Sequence, residues 1–85
     1  MTRMHDVVLD PLGWPAGAAG LGALVQAWYV NEGDRVKAGQ RLADVRAAGM
    51  LVPVEAPCDG MLEEVLVRAG ETFRPRHVLA RLLPF

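Results

Sequence analysis

The chain has no serine, one cysteine (Cys58), one lysine (Lys37) and two histidines (His5 and His77). Without serine no Ser-His-Asp triad can be assembled, and a single cysteine rules out an intramolecular disulfide. The cysteine and histidines together fall short of the four ligands that a structural zinc site draws from those types, so no metal is expected. A lone cysteine suits a reducing compartment. Cys58 has no histidine or basic cluster beside it in sequence to lower its pKa, so it reads as a small buried or turn residue without chemistry. Neither sign of charge dominates: 9 basic side chains against 10 acidic ones leave a formal net charge of -1. Binding to nucleic acid or to anionic lipid needs a basic excess, and neither partner is expected. A long apolar run is missing as well. Residues 11–30 carry no formal charge, but Pro11, Gly13, Pro15, Gly17, Gly20 and Gly22 break the stretch, which excludes a membrane span. Asp6 and Asp10 interrupt the place where a secretory signal would need its apolar core, so the chain is expected to be cytoplasmic.

What is present is the composition of a folded chain. Across 85 residues, 52% are hydrophobic and 22% charged, which predicts a single small domain over residues 1–85 with a modest core. The chain is also built twice. Shifting residues 23–45 by 37 positions lays them over residues 60–82, pairing Val30 with Val67, Gly33 with Gly70, Asp34 with Glu71, and Leu42-Ala43 with Leu79-Ala80.

Each unit reads as strand, tight turn, short extended piece and strand. Residues 25–30 and 62–67 are apolar, partly β-branched runs, each followed by a polar residue and a glycine. Gly33 and Gly70 supply the positive φ of the turn, and Asp34 or Glu71 can accept hydrogen bonds from freed amides. Gly39 marks a second turn in the first unit; its counterpart is Arg76, so the second unit must turn differently there, with help from Pro75. Residues 51–54 form another strand that Pro53 confines to a sheet edge. A helix over residues 16–29 is opposed by Gly17, Gly20 and Gly22, each costing about 1 kcal/mol in a helix interior. Many short strands in two equivalent halves predict an all-β flattened barrel or sandwich of two antiparallel sheets.

Three spaced segments stand out: Val7-Val8-Leu9-Asp10-Pro11-Leu12-Gly13, then residues 28–45 with Glu32-Gly33-Asp34 and Gly39 at their centre, and Glu55-Ala56-Pro57-Cys58-Asp59-Gly60-Met61-Leu62. In order and spacing they resemble the biotinyl/lipoyl carrier domain family. The resemblance implies two four-stranded sheets related by a pseudo-twofold, with a lysine on the tip of the hairpin that joins the halves. Counting eight residues back from Pro57 to the family's acceptor position reaches Gly49. Ala47-Ala48-Gly49-Met50 resembles the biotinyl motif A-M-K-M with its two central residues replaced. Biotin and lipoate attach through a lysine ε-amine, and glycine has none, so the resemblance implies a domain without cofactor.

Its expected role is that of a non-catalytic interaction or structural module, with a protein partner such as a biotin- or lipoate-dependent enzyme complex. The alternative is a genuine carrier, modified at Lys37 or holding biotin or lipoate non-covalently. A third reading makes the chain an enzyme subunit that contributes Cys58. The relatives of this domain in efflux adaptor proteins carry a coiled-coil insertion for which 85 residues leave no room.

Other residues fit ordinary structural roles. Trp14 and Trp28 are expected to pack rather than to stack on a ligand. Arg68, Arg74, Arg76, His77 and Arg81 follow Glu55, Asp59, Glu63 and Glu64, a distribution expected of a solvated face. The tip of small side chains, Ala47, Ala48 and Gly49 with Met50, makes few packing contacts and is the candidate contact surface for a partner. No set of residues resembles an active site.

Overall fold

Short apolar runs closed by glycine turns build strands only; among the described residues there is no helix. A computed structural model describes residues 4–9, 22–74 and 77–85. The strands are β1 (His5–Val8), β2 (Ala23–Trp28), β3 (Arg35–Val36), β4 (Arg41–Ala47), β5 (Met50–Glu55), β6 (Gly60–Val65), β7 (Thr72–Phe73) and β8 (Val78–Pro84). They form two four-stranded sheets, ordered β1-β8-β6-β3 and β5-β4-β2-β7, with every pairing antiparallel. This is the two-sheet, all-β architecture that the sequence pattern implies. Residues 23–28, which fall in the opposed helix, are strand. Trp14, the Gly/Pro-rich stretch before residue 22 and the turn at Pro75 and Arg76 lie outside the described residues.

The duplication governs the pairing in detail. A shift of 37 residues carries β2 onto β6, β3 onto β7 and β4 onto β8. It also carries each register onto its counterpart: Val25 opposite Val45 becomes Leu62 opposite Leu82, and Ala27 opposite Asp44 becomes Glu64 opposite Arg81. Both halves have a one-residue bulge at the same point, at Gln26 in β2 and Glu63 in β6. Strict alternation would place residues three apart on opposite faces. The bulge instead turns both Val25 and Trp28 toward the core, and likewise Leu62 and Val65.

The turns repeat as well. Gly33 and Gly70 hold φ of 95° and 90°, conformations that suit glycine. The Asn31 N–H donates to Asp34 Oδ2 at 2.8 Å, and the Arg68 N–H donates to Glu71 Oε1 at 2.6 Å. Asp34 and Glu71 thus do at equivalent positions what their sequence placement predicts.

The core lies between the sheets. Val25, Leu42, Ala43, Val45, Leu62, Leu79, Ala80 and Leu82 are wholly buried there, with Val7 and Val54 from the outer strands. Pro53 sits in β5, an edge strand, as its missing donor requires. Ala56 exchanges hydrogen bonds with the Gly39–Gln40 backbone at 2.8 Å. Alternation along β5 then places the donor-less nitrogen of Pro53 on the open side of the sheet, where it hinders pairing with another chain.

Candidate functional site

β4 and β5 are paired as far as Ala47 opposite Met50, leaving Ala48 and Gly49 as a two-residue loop. Both have positive φ, 51° and 75°, as in the hairpin turns whose twist matches that of the strands they join. Ala48 pays for this with about 1 kcal/mol of left-handed strain. A Cβ placed on Gly49 would meet no atom within 4 Å, so the tip stands clear of the body.

Of the four residues expected to form the contact surface, Ala47 is corrected by the structure. Alternation along β4 puts it on the same face as Ala43 and Val45, and it is buried in the core. Ala48, Gly49 and Met50 are exposed, Met50 at 57%, and Leu51 beside them is exposed too. Arg46 flanks this end and donates a hydrogen bond from Nε to Gln26 Oε1. No side chain at the tip carries an amine.

Lys37 lies elsewhere. It occupies the exposed turn between β3 and β4, where its N–H donates to Gln40 Oε1 at 3.0 Å and its carbonyl accepts from the Gln40 N–H at 2.9 Å. The length of β4, about 20 Å for seven residues, separates that turn from the tip. Trp28 packs against the core and donates from Nε1 to the Val67 carbonyl at 2.9 Å. Cys58 is half-buried against the same core.

The charged residues of the second half are spread out. Arg81 faces Asp6 at 3.9 Å; His77, Arg68, Arg74, Glu55, Glu63 and Glu64 are exposed. Asp59 accepts the Ala38 N–H at 2.7 Å. Among the described residues no group of three or more His, Cys, Asp or Glu is placed to hold a metal.

One polar cluster escaped the sequence reading. Asp44 faces outward from β4 yet is buried, because Tyr29 and Arg41 fold over it. Arg41 Nε donates to Asp44 Oδ1 at 2.7 Å and Nη2 to the same oxygen, while the Tyr29 hydroxyl donates to Oδ2. The guanidinium also sits 5.5 Å from the centre of the Tyr29 ring. The hydrogen bond from Tyr29, together with Arg41, holds the Asp44 carboxyl below its ordinary pKa of 3.8, against the opposing effect of burial. The same hydrogen bond, with desolvation next, raises the Tyr29 phenol above 10.0.

The signs give a test. A carboxyl whose pKa is lowered by folding contributes stability above its unfolded pKa and loses it as pH falls through the folded value. Asp44→Asn should therefore lower the melting temperature by several degrees at pH 7, and the gap from wild type should shrink at an acidic pH well under the ordinary carboxyl value of 3.8, where the Asp44 carboxyl takes up its proton. Melting curves at both pH values check this; a gap independent of pH would deny the charged pair its role.

The comparisons with known proteins agree with this geometry. A family profile described as "Biotin-requiring enzyme" matches residues 15–82. The biotin carboxyl carrier protein of acetyl-CoA carboxylase from Streptococcus pyogenes is 41% identical over 63 residues, covering 73% of this chain and 36% of that protein. The dihydrolipoyllysine-residue succinyltransferase component of the 2-oxoglutarate dehydrogenase complex from Buchnera aphidicola is 26% identical over 61 residues, 72% of this chain and 16% of its own length. This chain therefore spans between about a sixth and a third of these relatives. In three dimensions it is similar to the lipoyl domain of the 2-oxoglutarate dehydrogenase complex from Azotobacter vinelandii, with a TM-score of 0.69 at 22% identity over 89% of this chain and 94% of that one. With the profile match over most of its length, the chain belongs to the biotinyl/lipoyl domain family.

Proposed function

We propose that this chain is a single biotinyl/lipoyl-fold domain that carries no cofactor. It serves as a non-catalytic interaction or structural module of a biotin- or lipoate-dependent enzyme system in the cytoplasm. One observation carries the reading: the hairpin tip is Ala48-Gly49, and the chain's only lysine lies at the far end of β4. Covalent biotin or lipoate would need an ε-amine, so the residues at the tip do not fit either group. What supports a protein partner is that the relatives are named as components of multi-protein enzymes.

The test is intact mass spectrometry of the wild-type protein after incubation with a biotin ligase and, separately, a lipoate ligase. The mass should stay that of the bare chain. A gain of one cofactor mass, abolished by Lys37→Arg, would overturn the reading and make Lys37 the acceptor of a true carrier.

A further inference from the structure

Two surface hollows are related by the same 37-residue shift as the strands. One, of about 420 Å³, is lined by Gly22, Thr72, Phe73, Arg74 and His77. The other, of about 300 Å³, is lined by Asp59, Arg35, Val36, Lys37 and Gln40, with Phe85 added. Their shared position means that the fold itself leaves a gap beside β3 and β7. The lining is what distinguishes the hollow at β3.

Arg35 in β3 and Lys37 at the start of the turn that follows flank the buried Val36, and both are exposed and line the hollow. No carboxylate lies within 4.0 Å of either cation among the described residues. The Arg35 guanidinium lies 5.4 Å from the centre of the Phe85 ring, and that ring is 72% exposed on the rim. The third charged wall is Asp59. One of its carboxylate oxygens is occupied by the Ala38 N–H, and its carbonyl accepts the Phe85 N–H at 3.1 Å, which ties the aromatic wall to the same loop.

We propose that this hollow is a docking site for an acidic segment of a protein partner, its carboxylate between Arg35 and Lys37 and a neighbouring apolar side chain against Phe85. Two side-chain cations against one half-engaged side-chain carboxylate leave a single net positive charge among the lining side chains, which one carboxylate matches and a doubly charged phosphate would overcompensate. A peptide, moreover, brings several backbone N–H groups that can satisfy the remaining oxygen of Asp59, where a phosphate offers only the P–OH of its protonated forms. Exposed arginine beside an aromatic ring is also the pairing enriched at protein contacts. The hollow lies at the far end of β4 from the tip, so its failure as a site would leave the reading of the tip untouched.

The probe is a blocked Glu-Leu-Glu tripeptide, titrated into the ¹⁵N-labelled protein, with blocked Gln-Leu-Gln and inorganic phosphate as comparisons. Amide shifts should be confined to residues 35–38, Asp59 and Phe85. Arg35→Ala and Lys37→Ala should each weaken binding about fivefold, while Arg68→Ala, an exposed arginine outside the hollow, should not. Both substituted side chains are exposed, and otherwise unchanged spectra confirm that the variants fold. Equal shifts with Gln-Leu-Gln, shifts spread over every basic residue, no shifts with any probe, or tighter binding of phosphate at these residues would each overturn the proposal.

Discussion

Gly49→Lys should become a substrate for a biotin or lipoate ligase, passing from no modification to near-complete modification under conditions that leave the wild type bare. The hairpin already has the shape that such a residue needs. β4 and β5 are in register up to the last pair before the loop, and a side chain begun at residue 49 meets open space. The cost is conformational: a lysine at φ of 75° bears roughly 1–2 kcal/mol of strain, as Ala48 beside it already does in part. A loop that tolerates one side chain in the left-handed region at φ of 51° can tolerate a second, because nothing packs against it. Intact mass spectrometry reads the result directly. If the variant keeps the wild-type circular dichroism but gains no mass, more than one residue separates this domain from a carrier. The ligase-facing surface around the tip would then have diverged too.

Gly60→Ala should lower stability by about 3 kcal/mol, the upper end of what one forced methyl costs in a packed interior. A Cβ on Gly60 would lie 2.4 Å from the Leu83 carbonyl oxygen and 3.1 Å from the Pro84 Cα, both backbone atoms that cannot swing aside. The strand would have to separate from β8 within the short stretch where β6 is paired on both sides, Gly60 with Pro84 and Val36 and Met61 with Leu83 and Arg35. For a domain of this size the loss corresponds to a fall in melting temperature on the order of 15 °C. Urea unfolding should show a lower midpoint at an unchanged slope. The counterpart of Gly60 one repeat earlier is Ala23, which occupies the equivalent register with its methyl in place. The difference therefore arises from the closeness of the last strand and not from the strand position as such. A loss below about 1 kcal/mol would mean that β8 can yield, and that the close approach is not a constraint.

Much of the architecture was readable before any coordinates, because it is written in residues whose conformational demands are local. Gly33 and Gly70 announce their turns, Asp34 and Glu71 announce their caps, and Pro53 announces an edge. The absence of an amine at residue 49 is equally plain in the sequence. What was not readable depends on pairing. The strands expected at residues 25–30 and 62–67 begin and end two residues earlier, since Tyr29-Val30 and Leu66-Val67 leave the ladder to enter the turns. A bulge is a mismatch between two strands, and nothing in Gln26 or Glu63 alone declares it. The burial of Asp44 needs Tyr29, fifteen residues away, to fold over it. The burial of Ala47, by contrast, was available: it continues the alternation of Ala43 and Val45.

Neither sheet belongs to one half of the chain. The first takes β1 and β3 from the first half of the chain and β6 and β8 from the second; the other takes β2 and β4 from the first half and β5 and β7 from the second. Each repeat therefore lacks a sheet of its own, and the two are interlocked as strand-exchanged copies of one ancestral unit would be. Apart from the β4–β5 hairpin, nearly every ladder joins distant segments, so little can form before the loops between them close. Such high contact order places folding in the slow, millisecond-to-second regime and makes it all-or-none. A cut at the exposed hairpin would yield two fragments with no independent fold, each able to regain structure only by threading back into the other.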